Sequence, residues 1–476
     1  MKMLIAGREA GADGPIDVTN PFDGSMLGTV PTASPPEIEE ALRAAGRGAE
    51  VMADLSRRER ARILSDVSSE LRRRAGDLSR LLACETGKTL REAASEIDRA
   101  SETFSLAAGE ALRLAGEVVP FDAAPKGGNR FGFFLRVPLG VVVAITPFNF
   151  PVNLAAHKIA PAIAAGNAVI LKPASSAPLC ALSLGRMLYD AGLPPEALSV
   201  LTGSGSDVGD VLVGDSRPRM VTFTGSADVG RAIAGRAGLK KTAMELGSNS
   251  ALIVTRHCDV EAAAERAARA AFALAGQVCI SLQRVLVDSR VRDPFVDRLV
   301  SVTRSLTVGN QLLDGTDIGP MIDETQSARA ERWLAEADSA RAAVLCGGER
   351  SGTLFSPTVV GEPPEDARIW TDEVFAPIVS VREYDTLDEA IDGVNASRYG
   401  LQAGIYTDRL EEALEAAHRI RCGGVMVNDV PTFRVDLMPY GGEKESGAGR
   451  EGPRFAIEEM TEIRVVGVRR SGGFCA

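Results

Sequence analysis

The most informative stretch of the sequence is VVVAITPFNFP at residues 141–151, an apolar run that ends in a turn. Further strand-like runs follow along the chain and alternate with segments of helical spacing; they cover residues 168–171, 198–201, 220–223 and 242–245. Strands joined by helical crossovers predict an α/β fold with a parallel, doubly wound sheet. Such sheets bind ligands at the carboxyl ends of their strands, so the residues after each run are the first candidates for a site.

The segments outside this sheet predict other structures. Residues up to about 115 read as mostly helical after a short irregular lead, and Ser56 is one of the helix start signals. The apolar stretches 118–119 and 131–137 flank a turn-rich segment and predict a hairpin. The last strand-like run, residues 463–468, is expected to pair with this hairpin or with a neighbouring subunit.

Length and composition predict a multidomain globular protein. A chain of 476 residues is too long for one ordinary core, and 45% hydrophobic with 25% charged residues is the usual globular balance. No run approaches the roughly 20 apolar residues that cross a bilayer, and residues 1–10 lack the apolar core of a secretory signal. We therefore expect a soluble, cytoplasmic protein without a membrane partner.

Charge and cysteine usage exclude further classes. The net charge is −11 and no long block of like charge occurs, which disfavours a nucleic acid partner. The seven cysteines are scattered without a C-x-x-C pair, so reduced thiols are expected rather than disulfides or a metal site. The chain has only three histidines, so a mechanism that relies on a cluster of histidines is not expected.

Two glycine-rich segments each follow a predicted strand and open a helix. They are Gly203-Ser-Gly205-x-x-x-Gly209 and Gly225-Ser226-x-x-x-Gly230. The free N–H groups of a helix start suit a phosphate. Neither segment has the G-x-G-x-x-G spacing, so each alone is as consistent with a tight turn as with a nucleotide site.

Four polar or nucleophilic side chains are candidates for chemistry. Asn149 is either a turn residue between two prolines or a donor to an oxyanion. Lys172 follows a buried strand and could reach a ribose or phosphate. Glu245 closes an apolar strand and is either a structural acid or a base in a dry site. Cys279 is a candidate nucleophile, although most cysteines are small buried hydrophobes.

Together these motifs resemble the aldehyde dehydrogenase superfamily in identity and order, over almost the whole chain. The motifs are TPFNFP (146–151), KPA (172–174), FTGS (223–226), ELG (245–247), GQVC (276–279), EVF (373–375) and GGEKESGAGREG (441–452). Three positions depart from the family's common residues: Phe148 replaces a Trp, and Ser248 and Ala376 each replace a Gly. None of these departures removes a catalytic group.

The resemblance implies that Cys279 attacks an aldehyde as the thiolate and that Asn149 stabilises the resulting oxyanion. It implies further that Glu245 activates water to hydrolyse the thioester. Relatives that pass the acyl group to coenzyme A generally lack a glutamate at this position, so hydrolysis to a free acid is favoured. The alternatives are a coenzyme A-acylating semialdehyde dehydrogenase and a catalytically retired scaffold or binding protein of the same fold.

The same resemblance implies a nicotinamide cofactor. Lys172 is similar to the family's contact to the adenine ribose, Gly225 and Ser226 to its pyrophosphate contact, and Glu373 to its nicotinamide-ribose contact. Ser175 stands where many NAD-dependent relatives carry a Glu that repels a 2′-phosphate, so NAD is favoured slightly and NADP stays open. The other residues expected at the cofactor are Ile145, Thr146, Pro147, Phe148, Gly205, Gly209, Phe223, Val229, Leu246, Gly247 and Phe375.

For the substrate, the resemblance brings Arg99, His157 and Arg434 to one tunnel. These side chains suggest a small aldehyde that bears a carboxylate, phosphate or phosphonate. The nearest relatives in character are then lactaldehyde, non-phosphorylating glyceraldehyde-3-phosphate and phosphonoacetaldehyde dehydrogenases. The alternative is that one or more of the three points outward or pairs with Asp436 or Glu96.

The resemblance also divides the chain into three parts. A Rossmann-like cofactor-binding domain takes residues 1–116 and 138–246, and an α/β catalytic domain takes residues 247–457. Residues 117–137 and 458–476 form a small β arm for oligomerisation. Unpaired strands in this arm would be exposed edges in a monomer, so a homodimer or homotetramer is expected.

Overall fold

The computed structural model describes residues 1–11 and 15–469. The strands are β1 (Met3–Ile5), β2 (Arg8–Ala10), β3 (Ile16–Thr19), β4 (Met26–Val30), β5 (Glu117–Val119), β6 (Arg130–Pro138), β7 (Val141–Ile145), β8 (Ala168–Lys172), β9 (Leu198–Val200), β10 (Met220–Thr224), β11 (Lys241–Glu245), β12 (Ser250–Val254), β13 (Leu282–Asp288), β14 (Ala343–Cys346), β15 (Arg350–Ser351), β16 (Leu354–Phe355), β17 (Thr358–Gly361), β18 (Ile378–Tyr384), β19 (Tyr399–Gly400), β20 (Gln402–Tyr406), β21 (Gly424–Val427), β22 (Glu443–Lys444), β23 (Gly447–Ala448) and β24 (Thr461–Arg469). The helices are α1 (Pro35–Asp54), α2 (Arg57–Arg73), α3 (Ala75–Thr86), α4 (Leu90–Arg113), α5 (Asn153–Ala165), α6 (Leu179–Asp190), α7 (Asp210–Gly214), α8 (Ala227–Ala237), α9 (Val260–Phe272), α10 (Arg292–Arg304), α11 (Glu324–Ser339), α12 (Arg368–Thr371), α13 (Leu387–Asn395), α14 (Leu410–Arg419) and α15 (Pro453–Glu459).

The first sheet contains the strands predicted from the apolar runs, in the order β2-β1-β9-β8-β7-β10-β11-β23. Strands β7 to β11 pair in parallel, which confirms the predicted doubly wound sheet. Alternate side chains of β7 enter two different cores: Val142 packs in one and Val143 in the other, on the opposite face. The centre of the sheet is therefore buried on both faces, which explains why β7 and β8 are almost continuously apolar.

The register of this sheet brings the candidate polar residues to one edge. Ile145 pairs with Lys172, and Thr224 pairs with Glu245, so these strands end side by side. The turn after β7, Lys172 and the helix start at Ser226 therefore share the carboxyl edge with Glu245. This is the edge at which parallel α/β sheets bind ligands.

The N-terminal region is only partly as predicted. Its helices are confirmed: α2 begins after Ser56, whose hydroxyl accepts from the Glu59 N–H while Glu59 accepts in return. The expectation of an irregular lead was wrong, because residues 3–30 contain β1 to β4. Strand β1 pairs with β9, nearly two hundred residues away, and so joins the edge of the first sheet. Sequence periodicity carries little signal for strands this short.

The second sheet has the order β14-β17-β18-β13-β12-β20-β21. All its neighbouring pairs are parallel except β14 with β17. Buried side chains of β12 alternate between two cores, with Leu252 in one and Ile253 in the other. The loop that carries Cys279 precedes β13, so the central part of this sheet positions the sulfur.

The predicted hairpin forms from β5 and β6, and β24 pairs with β6 along its whole length from Thr461 opposite Pro138 to Arg469 opposite Arg130. Several apolar side chains of this three-stranded sheet are exposed: Val118, Phe131, Leu135, Ile463, Val465 and Val468. The expected homodimer or homotetramer stays a prediction, as does the division into three domains. Residues 470–476 of the predicted arm lie outside the described residues.

Within the described ranges, the structure contains no helix long and apolar enough to cross a membrane.

Candidate active site

Cys279 lies on a tightly wound loop. Leu274, Ala275 and Gly276 have φ angles of 50°, 52° and 72°, a run of three left-handed residues just before the cysteine. A Cβ at Gly276 would lie 2.1 Å from the Ala376 carbonyl oxygen, so both the conformation and the space require glycine there. Consecutive left-handed residues other than glycine are strained, and strain of this kind concentrates at functional sites.

Cys279 is a half-buried residue, and within the described residues its sulfur makes one polar contact, 2.9 Å to the hydroxyl of Tyr440. Burial raises the pKa of this thiol to about 11, although the Tyr440 hydrogen bond and the charge of Arg434 act to lower it. Thiolate is the nucleophilic form of cysteine, so groups that favour it are the ones that matter here.

Glu245, at the end of β11, is 4% exposed, and neither of its carboxyl oxygens has a hydrogen-bond partner in the described residues. Burial, followed by the negative charge of Glu451, raises the pKa of Glu245 well above its ordinary value. A buried carboxyl group without hydrogen-bond partners destabilises the fold, so its presence calls for an explanation such as a role in chemistry. The arrangement suits a base that must accept a proton from water.

Glu451 is the ionised neighbour of Glu245. It accepts from Lys158 Nζ at 3.1 Å and from Arg434 Nη2 at 2.8 Å. Burial alone would raise the pKa of Glu451, but Lys158 and Arg434 outweigh it and lower the pKa to about 2. Lys158 also donates to Thr222 Oγ1 at 3.2 Å. The sequence reasoning missed this network, although Glu451 lies inside one of the quoted motifs.

Asn149 faces the loop of the cysteine, because its Nδ2 donates to the Gln277 carbonyl oxygen at 2.9 Å. A buried ion pair between Lys88 and Glu96 fixes the backbone here. Lys88 Nζ donates to the Asn149 carbonyl oxygen at 2.7 Å, and Glu96 accepts from the backbone N–H groups of residues 152 and 153 at the start of α5. Asn149 is thus held close to Cys279 by contacts from two other elements.

The carboxyl edge of the first sheet has the features that a dinucleotide needs. Lys172 is buried, and among the described residues its ammonium group donates to one acceptor, the carbonyl oxygen of the adjacent Pro173 at 3.1 Å. Burial lowers the pKa of Lys172 to about 8. The hydroxyls of Thr146 and Thr224 are buried and have no partner within the described residues. These unused donors and acceptors lie beside the start of α8, where free N–H groups favour a phosphate.

Glycines leave room along the same edge. A Cβ at Gly205 or Gly209 would meet nothing within 4 Å, which indicates open space above this turn. A Cβ at Gly247 would lie 2.3 Å from a carboxyl oxygen of Glu373, so glycine is what allows Glu373 to approach. Glu373 accepts from the Ser248 N–H at 2.9 Å, and burial raises its pKa to about 7. The residues of this edge fit NAD(P).

Other expected cofactor residues lie around this edge. Ser226 caps α8 by accepting from the Val229 N–H, and Gly225 packs on the ring of Phe223. Phe148 and Phe375 contact each other edge to face, with ring centroids 6.0 Å apart. Leu246 packs against Gly230, the last glycine of the second glycine-rich segment. Residues 145–147 continue from the end of β7 into the turn that holds Asn149.

Ser175 contacts the first glycine-rich segment, since its hydroxyl donates to the Gly203 carbonyl oxygen at 2.7 Å. No carboxylate occupies this position, and the slight preference for NAD over NADP stays a prediction.

The three predicted substrate residues have different surroundings. Arg99 donates two hydrogen bonds to Asp436, at 3.0 and 2.8 Å, and its side chain is 25% exposed. His157 is fully buried and donates from Nε2 to Asp436 at 2.8 Å. Hydrogen bonds from His157 and Arg99 hold the pKa of Asp436 well below its usual range, although burial opposes them. Burial lowers the pKa of His157 itself, which favours the neutral ring. The pairing with Asp436 anticipated as the alternative is therefore present.

Arg434 is the substrate candidate that the structure brings to the cysteine. Its guanidinium lies 3.7 Å from the ring centre of Tyr440, whose hydroxyl contacts Cys279. Its Nε has no partner in the described residues. Sequence reasoning also missed Tyr440, which lies one residue before the last quoted motif.

The other described cysteines lie in segments of the chain outside the loop of Cys279. The six described cysteines are free thiols, and Cys475 lies outside the described residues. No cluster of three or more metal-binding side chains occurs in residues 1–11 and 15–469.

Comparison with known proteins finds relatives of this chain in both sequence and structure. The model of the Aldehyde dehydrogenase family matches residues 8–466. The chain is 47% identical to aspartate-semialdehyde dehydrogenase 1 of Pseudomonas canavaninivorans, over 95% of this chain and 96% of that protein. It is also 47% identical to 3-sulfolactaldehyde dehydrogenase of Priestia aryabhattai, over 86% of each. Among solved structures, GapN glyceraldehyde-3-phosphate dehydrogenase of Methanocaldococcus jannaschii, complexed with NADP, is similar with a TM-score of 0.93 and 37% identity, over 96% of this chain and 100% of that one.

Proposed function

The chain belongs to the aldehyde dehydrogenase family, and from that premise we propose that it oxidises a small anionic aldehyde to the free acid through a thioester on Cys279. It is an oxidoreductase that uses NAD(P). The observation that carries the proposal is the surroundings of the Cys279 sulfur: Glu245, whose two carboxyl oxygens have no hydrogen-bond partner in the described residues, and the cationic Arg434.

The nucleophilic step uses Cys279 and Asn149. The thiol loses its proton to water, and Sγ bonds to the aldehyde carbon while the carbonyl electrons move to oxygen. One N–H of the Asn149 amide bonds to Gln277, and the other is available to the oxyanion together with the Cys279 backbone N–H. When bound, NAD(P)⁺ supplies the two-electron oxidant that converts the thiohemiacetal into a thioester.

The hydrolytic step uses Glu245 in its ionised form. The carboxylate takes a proton from water, the water oxygen bonds to the thioester carbon, and the sulfur leaves as thiolate with the acid as product. Burial makes Glu245 a stronger base than an exposed carboxylate, and no protein donor competes for its oxygens in the described residues. The presence of this glutamate supports hydrolysis rather than transfer to coenzyme A.

The cofactor would be held along the carboxyl edge of the first sheet. Lys172 would contact the adenine ribose, Gly225 and Ser226 the pyrophosphate, and Glu373 the nicotinamide ribose. Support comes from the unused ammonium donors of Lys172 and from the space above the glycine turns.

The charge around the site supports an anionic substrate. Arg99, Arg434 and Lys158 are cationic, whereas Asp436 and Glu451 are the carboxylates held ionised, so one positive charge is left over. Burial lowers the pKa of His157, so this histidine adds no charge to the network. An acidic group at the far end of the aldehyde would complete the balance.

The substrates named for the similar proteins also support an aldehyde that carries an acidic group. Aspartate semialdehyde bears a carboxylate, 3-sulfolactaldehyde a sulfonate and glyceraldehyde-3-phosphate a phosphate. Each is a short aldehyde with an acidic group at the opposite end. We therefore extend the substrate class to sulfonates beside carboxylates, phosphates and phosphonates.

The test measures kcat/KM of wild type and of Arg99→Gln on a pair of aldehydes of equal length, one acidic and one neutral. Glutamine can keep a hydrogen bond to Asp436 but lacks the positive charge. We expect kcat/KM for an aldehyde with a terminal carboxylate, sulfonate or phosphate to fall about tenfold to a hundredfold, because a charge-assisted hydrogen bond is lost. For a neutral aldehyde of equal length, kcat/KM should hardly change. NAD(P)H formation is measured with both cofactors.

Arg266→Gln is the matched control, since Arg266 forms a similar pair with Asp429 on the surface. It should leave both aldehydes unaffected. An equal fall for acidic and neutral aldehydes in Arg99→Gln would mean that Arg99 only holds Asp436, and the anionic assignment would be wrong.

A further inference from the structure

The hydroxyl of Tyr440 has one hydrogen-bond partner in the described residues, the sulfur of Cys279 at 2.9 Å. Tyr440 is 2% exposed, so water does not compete for this hydroxyl. Buried phenols usually bond to a partner, and most side-chain hydrogen bonds in proteins go to the backbone or to water. Here the partner is the reacting atom itself.

The ring of Tyr440 is held so that this contact persists. Its backbone N–H donates to the Glu451 carbonyl oxygen at 3.1 Å, and the Glu451 N–H donates back at 2.7 Å. The Arg434 guanidinium stacks on the ring at 3.7 Å and is itself bonded to the Glu451 carboxylate. Two backbone bonds and a stacked cation therefore fix the direction of the phenol.

We propose that Tyr440 is a further catalytic residue: its O–H donates a hydrogen bond to Cys279 Sγ and stabilises the thiolate. The bond acts twice, before the sulfur attacks the aldehyde and again when the sulfur leaves the thioester. Tyr440 keeps its proton throughout, so no bond to hydrogen breaks at this residue. The inference rests on the proposed function in so far as Cys279 is the nucleophile.

The direction of the hydrogen bond follows from the two partners. An ionised sulfur has no proton and can only accept, and hydrogen bonds to charged groups are the stronger ones. Burial raises the pKa of Tyr440 well above its ordinary value, so the phenol stays protonated and remains a donor. A tyrosinate at this position would instead repel the thiolate.

The charged groups around Cys279 oppose one another. Arg434 favours the thiolate, whereas Glu373 and Glu245 disfavour it through their negative charge. Among these neighbours Tyr440 is the neutral group that favours the ionised sulfur, and its hydrogen bond lowers the pKa of Cys279 more than Arg434 does. Its removal should therefore be visible in the titration of the thiol.

The test is the pH dependence of Cys279 alkylation by iodoacetamide in Tyr440→Phe, which removes the hydroxyl and keeps the ring under Arg434. We expect the midpoint of the alkylation profile to rise by about one pH unit, the size of a lost hydrogen bond to a charged group. The midpoint is the readout rather than the rate, because a thiolate of higher pKa is also more nucleophilic. Cys279→Ala gives the background from the other cysteines.

The matched control is Tyr384→Phe, which removes a buried hydroxyl that bonds to the Val254 carbonyl oxygen. Its profile should coincide with that of wild type. A tyrosine analogue with a ring fluorine, placed at position 440, should shift the midpoint down, because a more acidic O–H is a stronger donor. This second variant keeps the ring and the hydroxyl of the native side chain and does not depend on the folding of Tyr440→Phe.

The outcomes separate the two proposals. An unchanged midpoint in Tyr440→Phe, or no downward shift with the fluorinated residue, overturns the role of Tyr440 even if wild type oxidises aldehydes. A shifted midpoint in a protein that oxidises no anionic aldehyde supports the hydrogen bond from Tyr440 to Cys279. The same result contradicts the proposed oxidation of an anionic aldehyde.

Discussion

Alanine in place of Cys279 should abolish aldehyde-dependent reduction of NAD(P), with kcat lowered by on the order of 10⁴-fold or more. The covalent thioester needs a nucleophile, and Cys279 carries the sulfur that contacts Tyr440 and is influenced by the charges of Arg434 and Glu245. The five other described cysteines lie in other segments of the chain, so we do not expect any of them to substitute for Cys279. The measurement is steady-state NAD(P)H formation with an acidic aldehyde.

Cys346→Ala serves as the matched control, because Cys346 is also a half-buried free thiol but lies at the end of β14 in the second sheet. It should retain wild-type turnover. Cofactor binding by Cys279→Ala, followed by fluorescence titration, should be retained and shows that the variant is folded. Residual turnover within tenfold of wild type would exclude Cys279 as the nucleophile.

Replacement of Glu245 by glutamine should separate the two half-reactions. We expect a rapid burst of NAD(P)H of about one equivalent per subunit, followed by a steady-state rate lowered about 10²- to 10⁴-fold. The physical reason is that glutamine has nearly the same shape but cannot accept a proton from water, so the thioester forms and persists. Quenched-flow assays give the burst, and mass spectrometry of the quenched protein should find the acyl group on Cys279.

The control for this substitution is Glu459→Gln, a half-buried glutamate that accepts from the Arg450 N–H at 2.9 Å. It should show neither a burst nor a slow steady state. A Glu245→Gln variant that turns over at the wild-type rate would assign the base to another group. Formation of an acyl-coenzyme A by wild type would instead favour the acylating alternative.

Much of the fold follows from local patterns in the sequence. The runs that became β7 and β8 are almost entirely apolar, are buried on both faces and are followed within two residues by proline, which is a strong signal for buried parallel strands. Helix α2 was predictable because its capping pair, Ser56 and Glu59, is adjacent in sequence. Strand β1 was not, since its three residues gain stability only from pairing with the distant β9.

The site was predictable as a set of residues and not as a set of contacts. Resemblance supplied Cys279 and Glu245, whose motifs are specific in order. It could not supply the pairing of Arg99 with Asp436, because these residues are 337 positions apart. Their contact depends on how α4 lies against the loop between β21 and β22. The same holds for Tyr440, whose hydroxyl reaches a cysteine 161 positions earlier in the chain. Contacts of this kind arise from tertiary packing, which no local pattern encodes.

The unbonded carboxyl of Glu245 also has a consequence for the thermodynamics of folding. In the unfolded chain a glutamate has a pKa of about 4.3, whereas the folded protein raises the pKa of Glu245 well above that value. The folded state therefore holds a proton that the unfolded state has released, so its free energy of unfolding falls as the pH rises from about 4.3 through the folded pKa. Glu245→Gln should accordingly melt at a higher temperature than wild type at neutral pH, and the two should converge in acid. Glu245, which activates the water that releases the product, therefore lowers the free energy of unfolding at neutral pH.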